Sequence, residues 1–137
     1  MPMKYIILLI LCAASMKAAC QNIQTSNLRW VVSGITDLHS SASNAGYSCS
    51  FKTSGTNSIT WEQNRGYTVT FIVTGVDGIW DDINNPGRVV YSVTFNGNSG
   101  TITFEKATSG TSVTMNLSQK SSNPLSLKYS VSQVTNP

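Results

Sequence analysis

Gly66-Tyr67-Thr68-Val69-Thr70-Phe71-Ile72-Val73-Thr74-Gly75-Val76 is the stretch that decides the fold. Tyr67, Val69, Phe71 and Val73 fall on one side of an extended chain, and Thr68, Thr70 and Thr74 on the other. Alternation with a period of two is the primary signal of a half-buried strand. Threonine suits the outer side, because its branched Cβ fits the pleat while its hydroxyl stays hydrated.

The same rhythm recurs on both sides of this stretch. It predicts strands over 28–35, 46–53, 58–62, 66–76, 88–96, 101–106, 112–119 and 125–134. Trp30 and Val32 face inward in the first. Tyr47, Cys49 and Phe51 do so in the second, and Ile59 and Trp61 in the third. Val89, Tyr91, Val93 and Phe95 follow, then Ile102 and Phe104, then Val113, Met115 and Leu117. Leu125, Leu127, Tyr129 and Val131 close the series. Serine and threonine account for 35 of the 137 residues, and only 11% are charged. Their alternation with β-branched and aromatic residues excludes a disordered chain. The length is that of one domain, too short for a TIM barrel, which takes about 250 residues.

Most connections are short and built from turn formers, as in Gln63-Asn64-Arg65-Gly66 and Asn96-Gly97-Asn98-Ser99-Gly100. Short turns make neighbouring strands antiparallel. Only 36–45 and 77–87 are long. The fold class is therefore all-β, an eight-stranded antiparallel meander with two possible closures. One is an up-and-down barrel. The other is a two-sheet β-sandwich in which the long links cross between sheets. The scarcity of long crossovers favours the barrel. That alternative resembles the small lipocalin-like proteins, without their Gly-x-Trp opening, since Asn27-Leu28-Arg29-Trp30 has no glycine two before the tryptophan. The resemblance implies an interior that is either filled or holds one small ligand.

Residues 1–20 have a different character. Lys4 gives a charged start, YIILLILC runs to Cys12, small residues extend it and Lys17 ends it. The apolar run of about twelve residues is shorter than the roughly 20 that a spanning helix needs. This order is that of a secretory signal peptide. Ala13-Ala14-Ser15 and Ala18-Ala19-Cys20 both offer small residues for cleavage. The second resembles a bacterial lipoprotein signal, with Cys20 as the lipidated first residue. Lys17 stands where that family prefers an apolar residue. The chain thus divides into a signal peptide over 1–20, a polar tether over 21–27 and a single all-β domain over 28–134. An exported protein follows, either secreted or a periplasmic or outer-membrane-attached lipoprotein.

Export removes Lys4 and Lys17. From Gln21 onward seven Lys/Arg face six Asp/Glu, a net charge of +1. That is no electrostatic footprint for nucleic acid, and a membrane partner is expected only through a lipid on Cys20. Cys12 leaves with the signal. Cys20 and Cys49 can pair if both survive as thiols in an oxidising compartment. Otherwise Cys49, in phase with Tyr47 and Phe51, packs as a small buried hydrophobe. No Cys-x-x-Cys or Cys/His cluster exists, which excludes a structural zinc site.

His39 is the single histidine. Asp37, His39, Ser40 and Ser41 crowd into one loop, whereas a catalytic triad is assembled between rigid elements. Glu62 and Glu105 alternate outward. No cofactor site is indicated, and a hydrolase is only a remote alternative.

The loop over 76–87 stands apart. It carries Asp77, Asp81 and Asp82, three of the chain's carboxylates, with Trp80, Asn84 and Asn85. These six are the candidate ligand-binding residues. Oxygen-rich loops can hold calcium, but the spacing is not that of an EF-hand. An exposed indole beside carboxylates and amides suits a glycan. The competing possibility is a self-capped turn, with Trp80 plugging the end of the fold. The expected function is a small exported non-catalytic β domain that binds a small apolar ligand or a glycan. The alternative is a structural or interaction protein of the cell surface or envelope, whose weakly charged strand edges accept partner strands. Mass spectrometry of the exported chain should find diacylglyceryl-Cys20, or an N-terminus at Gln21 or Met16. An intact Met1 overturns the signal-peptide reading.

Overall fold

The computed structural model describes residues 22–119 and 123–137. The signal peptide over 1–20, with Cys20, lies outside the described residues. Alternation builds nine strands: β1 (Asn27–Asp37), β2 (Ser43–Asn44), β3 (Cys49–Ser54), β4 (Ser58–Glu62), β5 (Thr68–Asp77), β6 (Gly87–Phe95), β7 (Asn98–Ala107), β8 (Gly110–Leu117) and β9 (Leu125–Thr135). From β3 to β9 each strand pairs antiparallel with the next, β1 pairs with β3, and β9 returns to β1. That last pairing runs from Arg29↔Thr135 to Asp37↔Leu127. It closes an eight-stranded up-and-down barrel and rules out the sandwich, which has no reason to join its first and last strands. The two-residue β2 continues the β3 side of the tube alongside Ile35 and Thr36. Each barrel strand is paired on both sides, so the long open edge that strand addition needs is missing among the described residues.

The interior is packed with side chains. Phe104 touches Trp30, Phe51 and Tyr91 at ring-centroid distances of 4.6, 6.4 and 5.5 Å. An eight-stranded barrel is just wide enough for its inward residues to fill it. Tilted and edge-on ring pairs of this kind contribute about 0.5–1.5 kcal/mol each beyond the area they bury. Outside, Glu62 meets Lys52 at 3.1 Å and Arg29 at 3.7 Å, and Arg88 meets Glu105 at 3.7 Å. These outward pairs are partly hydrated and contribute little.

One end of the barrel is plugged. Residues 21–27 were expected to be a polar tether, but Ile23–Thr25 form a single 3-10 turn, and Ile23 is 1% exposed. The physical reason is one apolar side chain in a polar run, with the barrel mouth as the nearest place to bury it. The backbone N–H of Ile23 donates to the Trp80 carbonyl at 2.8 Å, and the Trp80 N–H donates to Gln24 Oε1 at 3.2 Å. The Tyr91 hydroxyl donates to the Gln24 carbonyl from below, at 3.3 Å. The N-terminal turn and the β5–β6 loop therefore seal the same end together.

Two local departures matter at the other end. The predicted strand over 46–53 begins only at Cys49, and Tyr47 sits in the irregular segment before it. Tyr67, placed inward by the alternation, is 69% exposed. It follows a turn in which Arg65 and Gly66 take positive φ, 69° and 82°, and β5 starts after it.

The plug can be tested by substitution. A Cβ on Gly87 would lie 2.1 Å from Trp80 Cδ1, so Gly87→Ala should cost about 1–3 kcal/mol by overpacking. Ile23→Ala should cost about 2–5 kcal/mol. Urea unfolding checks both, and unchanged midpoints would show that the plug contributes nothing.

Candidate functional site

The loop singled out in the sequence is turned inward on itself. Trp80 is 2% exposed and stacks 5.8 Å from the Trp30 ring. Its indole N–H donates to the carbonyls of Asp82, at 2.8 Å, and Asn85, at 3.0 Å. Trp80 therefore has no open face to offer a sugar. Asp82 Oδ1 accepts the Asn84 backbone N–H at 2.9 Å, and Lys106 Nζ donates to the carbonyls of Ile83 and Asn84, both at 3.2 Å. Asp77, Asp81, Asn84 and Asn85 are exposed around this turn, beside Ile79. Asp77 is the last residue of β5, the other five share the β5–β6 loop, and four of those bear on its own closure. Among the described residues, no three His, Cys, Asp or Glu side chains come together as metal ligands.

The other residues weighed for chemistry are also committed elsewhere. Asp37 Oδ1 accepts the backbone N–H of His39 at 2.8 Å, while His39 Nε2 meets the Pro124 carbonyl at 3.0 Å. Glu62 and Glu105 lie on the outer faces of β4 and β7 in their ion pairs.

The barrel end opposite the plug is built differently. There the β4–β5 and β6–β7 turns and the β1–β3 and β8–β9 connections meet. No turn like that of Ile23 enters it among the described residues. Its rim is half-buried and apolar, with Trp61, Val69, Phe95, Leu117, Leu125 and Leu127. Just inside lie Tyr47, Cys49 and Tyr129. The Tyr129 ring is 6.1 Å from Tyr47, 6.0 Å from Trp61 and 5.0 Å from Phe51. Alternation explains the grouping. Cys49 and Phe51 are two apart on β3, Trp61 faces Phe51 in register on β4, and Tyr129 comes from β9, one strand beyond β1 on the other side of β3.

The polar tips of this group are unusual for an interior. The Tyr129 hydroxyl is buried with no hydrogen-bond partner, and the buried Trp61 indole N–H has only the weakly accepting Cys49 sulfur to meet. Trp30 Nε1 is also buried without a partner but lies in the filled centre, against Phe104 and Trp80. Buried donors are normally satisfied, and an unmade bond costs roughly 1–3 kcal/mol. The tips are close together around a free thiol. Burial pushes the Cys49 thiol up, while the nearby Trp61 N–H and Tyr47 hydroxyl pull it the other way. Burial, and then Cys49, raises Tyr47 to about 12. Burial, then Tyr47 and Cys49, carries Tyr129 higher still. The neutral forms are thus held in place, and the group offers hydrogen-bond donors without charge.

Trp61 and Tyr129 were legible in the sequence only as core. Their alternation phase was correct, but no sequence signal marks a donor whose partner is missing. The chain matches no protein-family model, no curated protein and no solved structure.

The buried tyrosines set an alkaline limit. In the unfolded chain tyrosine ionises near 10, while Tyr47 and Tyr91 resist until about 12. Above pH ~10 the unfolded state has released protons that the folded state still holds, so stability falls with rising pH. Full stability is expected below pH ~10, with progressive loss as pH rises from there through about 12. Urea midpoints across pH 8–12 check this, and a flat profile to pH 12 contradicts the burial of these hydroxyls.

Proposed function

We propose that this chain is an exported, non-catalytic β-barrel that binds one small, mainly apolar ligand at its unplugged end. The observation that carries this reading is the buried, unpartnered Tyr129 hydroxyl, beside a Trp61 indole N–H that meets only the weakly accepting Cys49 sulfur, set behind a half-buried apolar rim. Small-molecule sites combine an apolar lining with a few converging polar groups. The filled centre leaves the barrel's end, rather than its middle, as the place for a ligand. Export rests on the charged, apolar and small-residue order of residues 1–20.

A glycan at the Trp80 loop has less support, since the indole that would stack on a sugar is buried and bonded. Calorimetric titration of the exported chain with a panel of small apolar molecules tests the proposal. At least one should bind, and Trp61→Ala should weaken it tenfold or more while Asp81→Ala, at the plugged end, leaves it unchanged. Equal loss from both variants, or none from Trp61→Ala, would move the site elsewhere or abolish it.

A further inference from the structure

The polar groups at the unplugged end define what kind of molecule fits. The indole N–H of Trp61 can only donate, and the Tyr129 hydroxyl has a proton to give and no acceptor to receive it. Cys49 adds a weak S–H donor. The charged side chains on the same strands, Lys52 and Glu62, pair with each other on the outer face, and Lys128 beside Tyr129 is exposed. An ion brought to this cluster would lose its hydration with no counter-charge to replace it. A neutral oxygen acceptor would instead complete the unmade bond of the Tyr129 hydroxyl and give the Trp61 N–H a stronger acceptor than the Cys49 sulfur. The flanking rings of Trp61, Phe51 and Tyr47 favour a flat apolar body beside that acceptor.

Tyr47 borders this group. It sits in the irregular segment between β2 and β3, half-buried, and its N–H reaches the Asn44 carbonyl at 3.4 Å. Its ring lies 6.1 Å from that of Tyr129.

We propose that the unplugged end selects an uncharged, flat apolar molecule bearing a carbonyl oxygen, which accepts hydrogen bonds from Trp61 Nε1 and the Tyr129 hydroxyl. This rests on the ligand-binding reading above and adds the ligand's chemistry. Four probes of one shape test it by calorimetry on the exported chain: indan-1-one, indane, protonated 1-aminoindane and indane-1-carboxylate.

Indan-1-one should bind about tenfold more tightly than indane, as expected for one to two net hydrogen bonds, and both ions should bind more weakly than indane. The ketone should also shift the Trp61 indole N–H resonance downfield, assigned with Trp61→Phe. Tyr129→Phe removes an unpartnered hydroxyl without changing shape. It should leave indane affinity and the urea midpoint intact or improved, and cut the ketone preference to about threefold. If indane binds and indan-1-one binds no tighter, or if Tyr129→Phe weakens both equally, the carbonyl inference falls while the ligand-binding reading stands. If none of the four binds, both fall.

Discussion

The β1–β9 pairing joins the first and last strands of the meander and turns a ribbon into a tube. Every later property follows from that closure. A tube of eight strands has a fixed, narrow interior, and the inward residues of all its strands must share it. It also has two ends and no long side edge, so whatever the molecule does must be done on its outer wall or at an end.

The ends have opposite characters, and the difference lies in whether the polar tip of the aromatic there finds a partner. The β5–β6 loop brings Trp80 over Gly87, where only a hydrogen fits beneath the ring. The indole finds two carbonyl acceptors in its own loop, those of Asp82 and Asn85, and the Ile23 N–H donates to the carbonyl of Trp80 itself. Every polar group named there has a partner. At the opposite end Tyr47, Trp61 and Tyr129 bring comparable aromatic bulk, but the Tyr129 hydroxyl stays unmatched and the Trp61 N–H meets only a sulfur.

At this second end the stranded hydroxyl works against stability. A phenylalanine at 129 would fill the same space without a stranded hydroxyl, and a fully apolar mouth would pack at least as well. The tyrosine there weakens the fold locally. The filled centre, with Phe104 as hub of the rings, supports the arrangement by fixing where Phe51 and Tyr129 sit.

The sequence by itself determined the strands, because a two-residue rhythm is a local property written in consecutive side chains. Trp30, Phe51, Phe71, Tyr91 and Phe104 are inward in the sequence and buried in the fold. Tyr67 was misplaced because the turn before it shifts where the strand begins. Ile23 was missed because a lone apolar residue has no period. Closure, the plug and the stranded hydroxyl were decided only by tertiary structure. Barrel and sandwich share one alternation pattern and differ in whether residue 29 meets residue 135. Whether an indole is platform or plug, and whether a buried hydroxyl has a partner, depends on atoms brought from distant strands, and no local pattern records them.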